Sequence, residues 1–411
     1  MSGVSSVLSL FEGFGIELEL MIVRADDLGV FPVCDRVLVA AGDRLEGEVL
    51  RDETGWSNEL VLHVIELKTR GQRPSLDGLP KAFHDDVLAI EALLEPLGGR
   101  LLGTGMHPTM MPLSEARLWP HGTHEVYRAY DRAFGCRGHG WSNLQSIHVN
   151  LPFSGDAEFG RLHAAIRLVL PLLPAIAAGS PLVEGKITGN LDSRLAVYRQ
   201  NQRLVPSITG KVIPERAYTR RDYEARILRV IAEDIARLDT EKVLDPEWVN
   251  SRGAIARFSR NAIEIRVIDA QESAVSSVAV ARAAVAVVRA LVEERWAPFA
   301  EQCEWHESHL EPIFTRAVGV GGDAVIDDER LLACFGVKGD RCSLQDLWGH
   351  LASELDMTVD GRRDALDVIL RQGTLSERIL RAVGPGARPE AVQAVYGELA
   401  RCLRENRVFT P

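Results

Sequence analysis

Nine side chains on four short alternating segments carry the chemistry that this chain can do. In "GIELEL" (15–20) Glu17 and Glu19 lie two apart, and in "VIELKT" (64–69) Glu66 and Lys68 do the same. "SIHVNL" (146–151) repeats the spacing with Ser146, His148 and Asn150, and "IEIRV" (263–267) with Glu264 and Arg266. Residues two apart on a strand share a face, so each set projects opposite an apolar set: Ile16, Leu18 and Leu20; Ile65 and Leu67; Ile147, Val149 and Leu151; Ile263, Ile265 and Val267.

Taken alone, each segment matches an ordinary amphipathic strand with a solvated face. Placed side by side in one sheet, the four would gather Glu17, Glu19, Glu66, Glu264, His148 and Arg266 on a common surface. Carboxylates a few ångströms apart repel by roughly several kcal/mol per pair at an effective dielectric near 20. Such a surface calls for cations. Hard, oxygen-preferring Mg²⁺ or Mn²⁺ suits a set dominated by carboxylates, with phosphate oxygens and water completing the shell, and one imidazole is compatible with it. A single histidine among glutamates argues less well for zinc.

The elements that must position these groups follow from periodicity. Strands are expected at 14–23, 60–70, 143–153 and 262–269, and helices at 78–97, 123–134, 157–178, 222–237, 274–299, 345–356, 363–371 and 376–405, the last broken at "VGPGARPEA". Long, unequal insertions between the strands predict an α+β fold: a largely antiparallel sheet with a polar concave active-site face, helices on the other face, and a helical C-terminal extension. The expected division is a catalytic domain over 1–300 and a mainly helical extension over 301–411 packed on it, with "VGVGGDA" (318–324) as a flexible loop.

Composition narrows the function. With 411 residues, 46% hydrophobic and 26% charged, the chain has the make-up of a globular protein with a large core. A net charge of −11 argues against nucleic acid as the main partner. The six cysteines are scattered without a C-x-x-C pair, which fits reduced thiols and a cytoplasmic location. The first residues lack a basic n-region, and the apolar stretches are interrupted by Arg167, Pro171 and Pro174 or by Arg282 and Arg289, so no membrane partner is expected. Neither a G-x-x-x-x-G-K-[ST] loop nor a G-x-S-x-G elbow occurs.

The ordered set "GIELEL" (15–20), "IELKT" (65–69), "GTGMHP" (103–108), "IHVN" (147–150), "SPLVEGKITGNLDSR" (180–194) and "IEIRVID" (263–269) resembles the glutamate-cysteine ligase family 2 of carboxylate-amine ligases, whose catalytic fold is shared with glutamine synthetase and the guanido kinases. The resemblance implies an antiparallel sheet that binds ATP and Mg²⁺. It implies metal ligation by Glu17, Glu19, Glu66, His148 and Glu264, nucleotide contacts from His148 and Asn150, and Arg266 on the transferred phosphate, with Glu264 and Arg266 as the catalytic pair. Many members carry a second histidine where Ser146 stands here.

The function so implied is ATP- and Mg²⁺-dependent amide formation between a glutamate-like small-molecule carboxylate and an amine, through an acyl phosphate. Arg194 and Arg199 match substrate-binding arginines of the family, and His107 in the Gly-rich "GTGMHP" loop is a third substrate contact, the loop's glycines allowing close approach to a ligand. Alternatives are a metal-dependent hydrolase that needs neither ATP nor Arg266, and a catalytically silent binding protein that keeps the fold. "CEWHESH" (303–309) offers Cys303, His306 and His309, but reads as a helix surface. Oligomeric state is open, a homo-oligomer included.

Overall fold

A computed structural model describes residues 7–42, 45, 48–122, 124–239 and 241–411. Within the sheet, Gly15–Arg24 forms β1, Val49–Leu50 β2, Thr54–Asn58 β3, Val64–Thr69 β4, Gly99–Leu102 β5 and Ser146–Pro152 β6. A small separate hairpin pairs β7 (Leu182–Val183) with β8 (Lys186–Ile187), and the main sheet is completed by β9 (Ala254–Arg257) and β10 (Ala262–Asp269).

The order is β2-β3-β4-β1-β6-β10-β9, with β5 also on β1, and every pairing in this sheet is antiparallel. The four segments with spaced polar residues are therefore consecutive neighbours: β4, β1, β6, β10. Their register sets Glu19 opposite Glu66, Glu17 opposite His148, and Glu264 opposite Asn150. The expected strand at 60–70 begins later, at Val64, and the four residues before it belong to the connection from β3.

The apolar alternates fill the core. Ile16, Leu18, Leu20, Ile65, Leu67, Ile147, Val149, Leu151, Ile263 and Ile265 are all fully buried, in one cluster with residues of the helices Leu79–Leu94, Gly155–Val169 and Ala274–Val292. The last is long and apolar enough by composition to cross a membrane, and 83% of its most apolar window is buried within the protein, against the helices of 79–94 and 155–169.

Beyond residue 300 the chain is mainly helical, and its Leu310, Phe314, Trp348 and Leu366 join that same core. Residues 318–324 are packed rather than loose, since the helix Glu307–Val320 runs into them and Gly321, Gly322 and Ala324 are buried. His306 caps this helix, its Nδ1 accepting from the Ser308 amide at 3.2 Å. The helices Leu375–Val383 and Pro389–Glu405, separated at Gly384 as the sequence suggests, cover the far end of β1, where Met21 and Val23 replace the glutamates on the polar face and pack with Leu102, Tyr396 and Leu399.

One buried ion pair ties this C-terminal layer to the connection that follows the strand carrying Glu264. Arg378 donates to Glu272 at 2.8 Å and to the Phe409 carbonyl, and both side chains of the pair are 0% exposed. The Phe409 amide donates to the same Glu272 carboxylate at 3.0 Å. Removing one partner strands the other charge in a dry interior. Glu272→Ala is expected to lower the unfolding free energy by about 3 kcal/mol, read from urea denaturation; a change below ~1 kcal/mol would show that the pair holds nothing together.

Candidate active site

A cavity of about 790 Å³ opens over the acidic face of the sheet. Glu17 and Glu19 (β1), Glu66 and Lys68 (β4), Ser146 and His148 (β6), and Glu264 and Arg266 (β10) all line it. Glu17, His148 and Glu264 approach most closely: one ligand atom from each lies within 4.8 Å of the others. His148 Nδ1 is 3.1 Å from Glu17 Oε2 and 3.7 Å from Glu264 Oε1. A carboxylate can only accept, so Nδ1 carries the proton of the His148–Glu17 bond, and a cation bound between the three would displace it.

Around this trio each carboxylate has its own fixings. Asn150 Nδ2 donates to Glu17 Oε1 at 3.1 Å. The Ser146 amide and hydroxyl donate to Glu19 Oε2 at 2.8 and 2.9 Å, and the same hydroxyl lies 2.9 Å from His148 Nε2. Ser146, standing where many relatives have histidine, thus links Glu19 to His148. Ser57 of β3 donates to Glu66 Oε2 at 2.6 Å, with Lys68 Nζ 3.4 Å from that atom. Arg257 of β9 donates to Glu264 Oε2 at 2.9 Å, while Arg266 Nε stands 3.1 Å from Glu264 Oε1 without the alignment of a hydrogen bond.

Electrostatics divide the acids into two groups. Burial opposes charge on Glu264, but Arg266, Arg257 and His148 outweigh it and hold the carboxyl down at about 2. Glu17 behaves likewise: burial resists, and the His148 hydrogen bond with the Arg266 charge wins, so its value is lowered. On the other side burial, with Glu17 next, lifts Glu66 to about 7, which Lys68 and Ser57 only partly counter. Burial and the charges of Glu66, Glu19 and Glu17 raise Glu59 well above the ordinary carboxylate range. His148 is raised, since Glu17 and Glu19 overcome the burial that disfavours its cation. The crowded side around Glu59 and Glu66 gathers more carboxyls than its neighbours can keep ionised, a setting in which a divalent cation can replace the protons, and the donor set of carboxylate oxygens with one imidazole suits Mg²⁺ or Mn²⁺.

A family model described as glutamate-cysteine ligase family 2 (GCS2) matches residues 13–398. The chain belongs to that family. An uncharacterized protein of Archaeoglobus fulgidus is 34% identical over 388 residues, 94% of this chain and 97% of its own length. The chloroplastic glutamate–cysteine ligase of Solanum lycopersicum is 32% identical over 110 residues, 26% of this chain and 21% of the plant protein. Among solved structures, a Francisella tularensis glutamate–cysteine ligase in complex with AMP matches with a TM-score of 0.62 at 12% identity, over 97% of this chain and 89% of that one. A bifunctional glutathione synthetase from Pasteurella multocida matches with 0.58 at 13% identity, over 96% of this chain and 53% of that one. At such identities the structural likeness shows the shared fold, and membership of the GCS2 family supports a ligase that joins a carboxylate to an amine.

Within the GCS2 fold several expected site residues lie elsewhere. His107 is buried 2% exposed outside the cavity wall; its Nε2 donates to the Leu28 carbonyl at 2.6 Å, and burial lowers its pKa. The glycines beside it serve packing, since a Cβ on Gly103 would strike the Gln271 carbonyl and one on Gly105 the Asp269 carboxylate. Arg199 pairs with Glu311 and leaves the wall to Arg194 and Tyr198. The helix Ser193–Tyr198 puts residues four apart on one face, and a residue five on from Arg194 points away. Arg194 reaches the wall but is buried in an ion pair with Asp269, its Nη atoms 3.3 Å from the Arg266 carbonyl. Asn150 supports Glu17 from behind, outside the lining. Glu19 and Glu66 line the cavity but do not join the Glu17–His148–Glu264 trio.

Other lining residues gave no periodic signal. Glu59 sits in the β3–β4 connection, and Tyr127, Tyr130, Trp141 and Trp248 come from three separate segments. The density of aromatics at 121–141 marks part of that wall, but without showing which rings turn inward.

The Glu66 value carries a sign for stability. Its folded value of about 7 lies above the ordinary carboxyl value of 4.5, so the folded state keeps a proton that the unfolded chain has lost. The metal-free protein therefore loses stability as pH rises from the lower value to the upper. Glu66→Gln should stabilise chelator-treated protein by about 2 kcal/mol at about pH 8, and the gain should fade toward about pH 4.5. Urea midpoints across that range test this, and a loss of stability at the alkaline end would contradict it.

Proposed function

We propose that this protein is an ATP-dependent, Mg²⁺-assisted ligase that joins a glutamate-like carboxylate to an amine through an acyl phosphate. The observation that carries the reading is the convergence of Glu17, His148 and Glu264, with Arg266 beside them, on one cavity. The family-2 membership and the AMP-bound structural neighbour support it.

An amide does not form spontaneously from carboxylate and amine in water, so the carboxylate must first acquire a leaving group. A donor carboxylate oxygen attacks the γ-phosphorus of ATP, the bond to the bridging β-oxygen breaks, and ADP departs. The amine nitrogen then attacks the acyl carbon, the carbon–oxygen bond to phosphate breaks, and the nitrogen sheds a proton as phosphate leaves. Two anions meet in the first step, and that repulsion sets the barrier. Divalent cations held by Glu17, His148 and Glu264, and on the crowded side by Glu19, Glu59 and Glu66, would supply charge neutralisation along the phosphate chain.

Arg266 presents a planar fork at the same place. Its charge is anchored by Glu264, while its Nε is buried with no aligned acceptor, which leaves the donors for phosphate oxygens. Glu264 is held in turn by Arg257, so the arginine cannot drift. A water-activating hydrolase would leave this guanidinium without a task.

Turnover is read as ADP and phosphate released only when both carboxylate and amine are present. Glu17→Gln and Glu264→Gln should each cut that rate by about a hundredfold or more, with the fold intact by circular dichroism; near-wild-type rates in both would remove the metal assignment. Arg266→Lys should cost about a hundredfold, because a point charge cannot replace a fork. Independently of turnover, Mg²⁺ added to chelator-treated protein at about pH 7 should release protons, since Glu66 and the His148 ring must give theirs up. A calorimetric titration whose heat is the same in buffers of different ionisation enthalpy would refute that coupling.

A further inference from the structure

The cavity lining is of two kinds. The sheet supplies most of the acids, and segments outside it supply an aromatic and aliphatic part: Tyr127 and Tyr130 on the helix His124–Phe134, then Trp141, Trp248, Val126 and Val243. The rings brace one another, Tyr130 lying 4.7 Å from Trp141 and 4.9 Å from Trp248 in edge-on contact. Trp248 remains 40% exposed, so its ring meets the cavity rather than the core.

The cations of the wall are nearly all engaged. They are Lys68, Arg194, Arg257, Arg260 and Arg266. Lys68 faces Glu66, Arg194 faces Asp269, and Arg257 and Arg266 both face Glu264. Only Arg260, on the exposed rim, has no carboxylate partner among the described residues. Against these stand seven lining acids: Glu17, Glu19, Glu59, Glu66, Asp245, Glu247 and Glu264.

That balance bears on the acceptor. Two amino acids joined by a ligase bring two α-carboxylates besides the one that reacts, and each needs a counter-charge when taken out of water. Arg266 is committed to phosphate and Arg260 can serve the donor, which leaves no lining cation among the described residues for an acceptor carboxylate. An ammonium group, by contrast, finds surplus acids at Asp245 and Glu247 and aromatic faces suited to a cation. We infer that the acceptor is an amine that lacks a carboxylate and carries an apolar, aryl-type body seated on Tyr127, Trp141 and Trp248. The inference rests on the ligase reading above and specifies its second substrate.

Matched pairs isolate the carboxylate. With ATP, Mg²⁺ and glutamate, ADP release is compared for 2-phenylethylamine against phenylalanine and for cysteamine against cysteine. In both pairs the carboxylate-free member should have the higher kcat/KM, by about tenfold or more; preference for the amino acid in either pair overturns the inference and leaves the ligase reading standing. Release with no pair at all sinks the ligase reading instead, and binding then decides the inference. Tryptophan fluorescence titrations should show 2-phenylethylamine binding more tightly than phenylalanine, and tighter binding of phenylalanine overturns it. Trp248→Ala should weaken the amine about tenfold, and Trp248→Phe should restore it. If Trp248→Ala weakens a non-hydrolysable ATP analogue instead and leaves the amine unchanged, the wall belongs to the purine and the inference fails.

Discussion

Everything at the site depends on the register of β1 between β4 and β6. Antiparallel pairing sets Glu19 against Glu66 on one side and Glu17 against His148 on the other. Directly opposed like charges are unfavourable in a sheet, yet no slip of one residue is available: it would carry Ile16, Leu18 and Leu20 out of the core and bury the glutamates in their place. The apolar face therefore compels the acidic one. Burial of those fully enclosed aliphatic side chains, at about 2 kcal/mol each, exceeds the repulsion on the far side. The strain that remains is visible in Glu66 and Glu59, whose carboxyls hold their protons longer than free ones do.

A second constraint shapes the arginine side. Between Ile265 and Ile268 the pairing of β10 with β6 takes in one extra residue. Simple alternation would put Asp269 with Ile263, Ile265 and Val267 on the core face. The bulge reverses the parity, so Asp269 comes opposite Ser146 on the polar face, where Arg194, Ser180 and the Gly179 amide meet it. Arg194 is thereby spent on structure, and the neighbouring Arg266 is left as the guanidinium whose donors address the cavity.

This difference explains what could be read in advance. The four polar-alternating strands, and the shared side of each that carries Glu17 and Glu19, Glu66, His148, or Glu264 and Arg266, follow from period-two patterning; that the four are neighbours in one sheet does not, and was implied by the GCS2 resemblance before the pairing showed it. Most helices were legible from their own, helical periodicity and from breakers such as Gly384 and Pro385. Periodicity carries no information about a residue in a connection, and so Glu59 went unseen. It says nothing of which arginine in a helix faces inward, hence Arg199. Nor does glycine composition distinguish approach to a ligand from approach to another strand, and around His107 the glycines answer to Asp269 and Gln271. The aromatic wall is assembled from segments more than a hundred residues apart, which local pattern cannot join.

The C-terminal third illustrates how a site is bounded without being touched. Among the described residues, none that lines the cavity lies beyond Arg266. The polar face of β1 nonetheless continues past Glu19 into Met21 and Val23, and those two would be exposed hydrophobic surface if the helices Leu375–Val383 and Pro389–Glu405 did not lie across them. Their Tyr396 and Leu399 pack over Met21 and Val23 and end the open face a few residues from the glutamates. The buried Arg378–Glu272 pair then fixes that cover three residues after Asp269, just past the end of the strand that carries Glu264 and Arg266. The acidic face and its enclosure thus fall to different parts of the chain and meet just past the end of β10, the strand that also carries Glu264 and Arg266.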